Sequence, residues 1–211
     1  MKILFIFALL FLLRANAELS ADISQEMAAF RGMLKGMKAS DEEISQLSKC
    51  TGSLKLLEIF GNEFGQAIKV AMQVGLKDGA PNLAYKLQHL SSDMNTFLNV
   101  DLQKTCYLTP SKFSEFVKST SELTAYEWKE AILQLADDNN FATNAVRKIN
   151  EWATIVQKDP SNENIEGAAE YITSIYVVIA VKAQSGSTPS SAILSTSSIL
   201  TPTIALFLIF I

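Results

Sequence analysis

Residues 54–76 read LKLLEIFGNEFGQAIKVAMQVGL, and this stretch decides the fold class. Its large apolar side chains recur every three or four residues, which is the spacing of one face of an α-helix. Elsewhere in the chain no segment alternates apolar and polar residues as a half-buried strand does. We therefore expect an all-α protein, a compact bundle of about six to seven helices with one disulfide. The predicted stripe consists of Leu57, Phe60, Phe64, Ile68, Ala71 and Val74.

Two more helices are predicted before this segment. The first follows Ser20 and ends near Gly36. Its predicted inner stripe is Ile23, Met27, Phe30 and Leu34. Ser40 and Glu43 form a capping box in which each side chain accepts a backbone N–H at the start of the next helix. Thr51-Gly52 predicts the end of that helix or a bend in it.

After residue 76, Lys77 to Pro81 predicts a turn, and a helix through Leu83, Leu87, Leu90, Met94 and Phe97 follows. Asn99 to Thr109 is the longest predicted loop, and it contains Cys106. Thr109-Pro110 predicts the cap and first position of a short helix, because proline is favoured at that position. Ser121 is the predicted start of the next helix.

The C-terminal part of the chain predicts two further helices. One carries Phe141, Ala145, Ile149, Trp152 and Val156 and ends at Lys158-Asp159-Pro160. The other runs from about Ser161 to Ala183 and is apolar on nearly every side. A helix of that kind is typical of the centre of a bundle.

The first residues have the organisation of a secretory signal peptide. Lys2 supplies the basic start, Ile3 to Leu13 the apolar core, and Ala15-Asn16-Ala17 the Ala-x-Ala cleavage pattern. A membrane span needs roughly 20 apolar residues, and this run is shorter. Cleavage after Ala17 is predicted to leave Glu18 as the first residue of the mature chain, so residues 1–17 form the signal peptide.

The last residues have the order of a glycosylphosphatidylinositol (GPI) attachment signal: small residues, a polar spacer and an apolar tail. Ser185 is the predicted attachment residue, and Ser190 is the alternative. The predicted domains are then a helical extracellular domain at 18–184, the attachment region and spacer at 185–198, and a removed tail at 199–211. A C-terminal membrane span from Ile193 is the alternative, although its Ser, Thr and Pro residues and the lack of a following Lys or Arg count against it.

Charge and the two ends predict where the protein works. Removing residues 1–17 takes away Lys2 and Arg14, which leaves 16 basic and 22 acidic residues and a net charge of about −6. An acidic surface disfavours a nucleic-acid partner, whose phosphates need a basic face. The predicted location is the extracellular face of the plasma membrane, reached by the secretory pathway, with the membrane contacted through the GPI lipid.

Two cysteines, Cys50 and Cys106, remain in the predicted mature chain. In an oxidising compartment two cysteines have one possible intrachain pairing. We therefore predict a Cys50–Cys106 disulfide. In the chain-entropy model the closure of such a loop stabilises the fold by roughly 4 kcal/mol.

The candidate chemical sites are weak. His89 is the single histidine, lies off the apolar stripe of its helix and is predicted to be a surface residue. Asp159 to Asn164 with Glu170 superficially resembles a calcium loop, but Asn164 stands where that loop needs glycine. We interpret the segment as a helix end followed by a helix cap.

The remaining motifs also have structural interpretations. Gly61 and Gly65 have the spacing that lets helices approach closely, and we expect contacts within the chain. The acidic runs at 41–43 and 137–138 lie at predicted helix ends, where the helix dipole explains them. No catalytic residue, cofactor site or metal site is predicted, and the chain is not expected to be an enzyme.

Two functions fit this pattern. The first is a non-catalytic surface protein that binds an extracellular protein partner or forms part of a surface coat. The alternative is a carrier of an apolar ligand, a fatty acid or a sterol, inside the bundle. In that case the phenylalanines would line a cavity. The candidates for its wall are Phe60, Phe64, Phe97, Phe113 and Phe116, with the last helix.

Overall fold

The computed structural model describes residues 19–106 and 111–186, and all of the regular structure in them is helical. The predicted signal peptide with its Ala17–Glu18 cleavage site, the Thr109-Pro110 cap, Ser190 and the C-terminal tail lie outside these residues. The described helices are α1 (Leu19–Gly36), α2 (Asp41–Lys49), α3 (Lys55–Val74), α4 (Leu76–Thr96), α5 (Lys112–Ser121), α6 (Ala125–Asp137), α7 (Asn139–Lys158) and α8 (Asn162–Gly186). The predicted all-α bundle is confirmed.

The predicted disulfide is also confirmed. Cys50 follows α2, and Cys106 ends a helical extension of α4 that consists of a π-helical segment, Phe97–Leu102, and one α-helical turn, Gln103–Cys106. The two Cα atoms are 5.7 Å apart, within the usual range for a disulfide. The predicted loop at Asn99 to Thr109 is therefore wrong over its described part. The reason is that Leu98 and Leu102, four residues apart, are both buried.

The predicted turn at Lys77 to Pro81 is wrong as well. The chain turns at Gly75, whose φ of +83° is a conformation that glycine adopts easily and other residues rarely do. Lys77 to Pro81 instead form the first turns of α4, and Pro81 is exposed there. Pro81 is the sixth residue of this helix and has no N–H to donate to the carbonyl of Lys77, a residue that is also exposed.

Capping explains most helix starts. The predicted Ser40–Glu43 box is confirmed, with the Glu43 N–H donating to Ser40 Oγ at 3.3 Å and the Ser40 N–H donating to Glu43 Oε2 at 2.5 Å. Helix α6 is capped by Thr124 with Glu127, three residues after the predicted start at Ser121. Ser121 instead donates its hydroxyl to the Lys118 carbonyl at the end of α5.

Helix α5 is capped by Ser111, whose Oγ accepts the Ser114 N–H at 3.1 Å. The cap therefore lies just after the predicted Thr109-Pro110 pair. Two residues of the predicted apolar stripes are also on the surface: 56% of Ile23 and 52% of Val74 are exposed. Both lie near a helix end.

Tyr176 of α8 is the point at which most of the bundle meets. Its ring packs edge-on against Phe60 and Phe64 of α3 and is stacked on Trp128 of α6 at 5.7 Å between centroids. Its buried hydroxyl bonds to Ser91 Oγ of α4 at 2.9 Å and to Thr120 Oγ1 of α5 at 3.2 Å. The predicted central position of the last helix is therefore confirmed.

The closest helix contact joins the first helix to the last. A Cβ on Gly32 of α1 would lie 2.1 Å from the Glu166 carbonyl oxygen, and one on Gly36 would lie 2.4 Å from that of Glu170. Ser24 contacts Asn162 at the opposite end of the same interface, so α1 and α8 run parallel. Small residues let the two backbones touch here.

Candidate functional site

An open groove of about 540 Å³ lies on the surface between the end of α1, helix α7 and helix α8. We call it the α7–α8 groove. Its walls combine three aromatic side chains with three cationic ones. These six residues are Phe141, Trp152, Tyr171, Lys38, Arg147 and Lys148.

Two backbone features shape this groove. Gly167 leaves room for the indole of Trp152, because a Cβ at that position would lie 2.6 Å from Trp152 Cη2. Lys38 follows α1 with a left-handed φ of +64°. For a residue other than glycine that conformation costs roughly 1 kcal/mol. The turn at Lys38 brings this cation to the edge of the groove.

The groove has a small excess of positive charge. Its positive charges are those of Lys38, Arg147 and Lys148. Two negative charges oppose them: Glu151, which bonds to both Arg147 and Lys148, and Glu170 in the wall. Three cations and two carboxylates leave an excess of one, on a chain whose overall charge is −4. The hydrogen bond from Lys148, together with the bond and charge of Arg147, lowers the pKa of Glu151. Partial burial raises the pKa of Tyr171.

A second, smaller pocket lies beside the groove and is partly open to solvent. It is an apolar cavity of about 140 Å³ between α3, α4, α6, α7 and α8. Phe141, Ala145 and Ile175 separate it from the groove, since they line both. Of the five phenylalanines proposed from the sequence as cavity residues, Phe64 lines this one. Phe60 and Phe113 are buried in the core, and Phe97 and Phe116 pack against it.

A third cleft, of about 430 Å³, lies between α2, the α4 extension and the start of α5. Several of its polar groups already have structural partners. Glu43 accepts backbone N–H groups of Ser40 and Phe113, and Asn99 donates to the Ser114 carbonyl at 3.2 Å. Burial on its own would raise the pKa of Glu43, but the hydrogen bonds from Ser111, Ser40 and Phe113 together lower it.

The residues singled out from the sequence do not come together in one place. His89 is exposed on α4, with its ring 4.3 Å from that of Tyr85. Gly61 and Gly65 are half-buried on α3. The predicted GPI attachment residue, Ser185, is exposed in the last turn of α8 and donates its hydroxyl to the Lys182 carbonyl.

The acidic runs lie at helix ends as predicted, and the dipole favours residues 41–43 and Asp138, which lie at helix starts. Asp138 Oδ1 accepts the N–H groups of Asn140 and Phe141 at the start of α7. Asp137 instead ends α6, where the dipole does not favour a carboxylate, and it pairs with Lys77 at 2.5 Å. In the segment that resembles a calcium loop, the Asn164 amide donates to the carboxylate of Asp159 at 3.0 Å. The helix-cap interpretation of that segment is confirmed.

Residues 19–106 and 111–186 contain neither a candidate membrane span nor a candidate metal site. No helix there combines the length and the apolar character that crossing a bilayer requires. No group of three or more His, Cys, Asp or Glu side chains is arranged there to hold a metal ion. Comparison of the chain with protein-family models, with curated proteins and with solved structures gives no match.

Proposed function

We propose that this chain is a GPI-anchored, non-catalytic protein of the outer cell surface, which binds an extracellular protein through the α7–α8 groove. The anchoring part of the proposal is supported by the two ends of the sequence, and the binding part by the groove. The observation that carries it is that Trp152, Tyr171 and Arg147 line one open depression. Tryptophan, tyrosine and arginine are the residue types that contribute most to the energy of protein–protein interfaces.

The position of the groove suits a surface receptor or ligand. Its α8 wall is formed by Tyr171, Ser174, Ile175 and Val178, which precede Ser185 by between seven and fourteen residues. At about 1.5 Å of rise per helical residue, this wall lies roughly 10–21 Å along the axis from the proposed lipid attachment. A partner in the groove would therefore approach close to the membrane.

The tether is tested on cells that express the whole chain. Phosphatidylinositol-specific phospholipase C should release the protein, and mass spectrometry of the released form should end at Ser185 or at Ser190. If the protein stays on the cells after this treatment and peptides from Ile204 to Ile211 are recovered with it, the C-terminal membrane span is correct and the GPI tether is wrong.

The groove is tested with the released protein, labelled and assembled into multimers, on cells that bind it. Tyr171→Glu places a charge in the aromatic part of the groove and should reduce binding at least tenfold. Tyr126→Glu is the matched control, because Tyr126 of α6 is 68% exposed and is not a wall residue of the groove. Equal binding by wild type and Tyr171→Glu would rule out the groove as the binding surface.

A further inference from the structure

The 140 Å³ cavity has walls made only of apolar side chains. Its inner wall is part of the rigid core, since Phe64, Ala67, Leu83, Leu87 and Ile132 are all at most 5% exposed. None of its lining side chains carries an oxygen or nitrogen atom to hold a water molecule in place. An enclosed apolar cavity of about 150 Å³ binds compact ligands such as benzene or xenon, and this pocket has a similar volume and an equally apolar lining.

The outer wall is different. Phe141, Ala142, Ala145 and Val146 from the first half of α7 form it; the first three are half-buried, and Val146 is 50% exposed. The buried side chains of α7 all lie in the second half of the helix; they are Ile149, Ala153 and Val156. Residues 139–148 are thus held by less buried surface than the rest of α7, and local opening is favoured where few apolar contacts must be broken.

We propose that this cavity is a binding site for a compact, uncharged hydrocarbon ligand of about six to eight carbon atoms, and that residues 139–148 of α7 form its outer wall. Phe141 and Ala145 stand between the cavity and the α7–α8 groove, so a movement of this wall would join the two. The proposal does not depend on the surface-binding role or on the lipid tether.

The cavity volume also sets an upper limit on the ligand. Pockets for drug-sized ligands have volumes of about 300–1,000 Å³, and this cavity is well below that range. A whole sterol or long-chain fatty acid does not fit in it while α7 is in place. The site therefore takes a smaller ligand than those expected from the phenylalanine content of the sequence.

The test uses the purified protein with its disulfide intact and benzene as the probe. Near-saturating benzene should raise the Tm by about 2–4 °C, because a ligand that binds only the folded state stabilises it. In methyl NMR spectra, the signals of Ile132 and Ile149, which line the cavity, should shift. The signals of Ile44 and Ile165, which are buried elsewhere, should not.

Two variants fill the cavity from opposite walls. Ala142→Leu acts from α7 and Ala71→Leu from α3, and each should abolish the benzene-induced rise in Tm. Thr143→Leu is the matched control, because Thr143 is exposed on the same turn of α7 and does not line the cavity. The proposal is overturned if benzene leaves both the Tm and the Ile132 and Ile149 signals of the wild type unchanged, or if the filled variants respond as the wild type does.

Discussion

The carboxylate of Glu43 accepts the backbone N–H of Phe113 through Oε1 at 3.2 Å, while its other oxygen accepts the N–H of Ser40. One side chain therefore caps the start of its own helix, α2, and that of α5, which lies 70 residues further along the chain. Both contacts place a negative charge at a helix N-terminus, where the helix dipole favours it. Glu43 therefore links two helices that are far apart in the sequence.

Replacing Glu43 by alanine should lower the free energy of unfolding by about 2 kcal/mol, because it removes hydrogen bonds at two helix starts at once. Urea unfolding followed by circular dichroism measures the change. Glu42→Ala is the control, since Glu42 is exposed and accepts only a long bond of 3.4 Å from Gln46 among the hydrogen bonds described. A loss for Glu43→Ala no larger than that of the control would contradict the double-cap role.

The stability should fall in acid in a defined window. The pKa of Glu166 is lowered: partial burial acts to raise it, and the bonds and charges of Lys35 and Arg31 outweigh that effect. The pKa of Glu43 is lowered too, so both carboxylates bind protons more tightly in the unfolded chain, where the ordinary value is 4.5. Their contribution is present above about pH 4.5 and is lost as the pH falls through the lowered values.

Urea unfolding at a series of pH values between about 6 and 2.5 measures this effect. Glu166→Gln should be less stable than the wild type at pH 6, and the difference should shrink as the pH falls. Because Arg31 and Lys35 are 37% and 42% exposed, we expect a difference at pH 6 of less than about 1 kcal/mol. A difference that stays constant down to pH 2.5 would show that the pKa of Glu166 is not lowered.

Gly32→Ala and Gly36→Ala should each destabilise the protein by about 3 kcal/mol, because the new methyl group meets a backbone carbonyl of α8 and the helices must separate. Thermal and urea unfolding measure the loss. Gly79→Ala is the matched control within a helix. The three atoms nearest to its added Cβ are methyl carbons of Val74, Val70 and Leu83, the nearest at 3.1 Å, and these side chains can move. Near-neutral values for both α1 variants would contradict the close approach of α1 and α8.

Tyr176→Phe should cost only about 1 kcal/mol, although Tyr176 is buried at the centre of the bundle. In this variant Ser91 donates to the Leu87 carbonyl and Thr120 to the Val117 carbonyl, so neither hydroxyl is left without a partner. Tyr176→Ala should cost about 4 kcal/mol, because it removes the ring that four other rings contact. A loss for Tyr176→Phe close to that for Tyr176→Ala would mean that the hydroxyl network, and not the ring, holds the core.

Removal of the disulfide should destabilise the protein by giving the unfolded chain more freedom. Cys50 and Cys106 are 56 positions apart in the chain, and opening that loop should lower the free energy of unfolding by about 4 kcal/mol. The measurement compares oxidised wild type, reduced wild type and the Cys50→Ser/Cys106→Ser variant. The last two should agree, and reductant should leave the double variant unchanged. A wild type whose Tm is insensitive to reduction would contradict the prediction.

Much of the fold could be predicted because its determinants are local. The stripe through Phe60 and Phe64, the capping box of Ser40 and the apolar last helix each depend on residues within a few positions of one another. Two predictions were wrong where a turn or loop signal competed with helix formation. Pro81 predicts a turn, yet the chain turns at Gly75. Asn99 predicts a loop, yet the burial of Leu98 and Leu102 keeps the chain helical there.

The groove and the closest helix contact could not be predicted in this way. Gly61 and Gly65 have the same spacing as Gly32 and Gly36. The spacing alone does not show which of the two pairs contacts another helix. A usable signal was present, because Ala28 and Ala29 extend the small-residue face of α1 and both are completely buried. The groove needed Lys38, Arg147 and Tyr171 from three separate elements, and no periodicity relates such distant positions.

The pairing of α1 with α8 also has a consequence for synthesis. Arg31 and Glu166, which bond across this interface, are 135 residues apart in the chain. At about 5–20 residues per second, a ribosome makes the partner of α1 roughly 7–27 s after α1 itself. During that time the glycine face of α1 lacks the α8 backbone that it contacts in the folded chain. The first of the described helices thus completes its packing among the last, and until then this face is open to chaperones and to proteolysis.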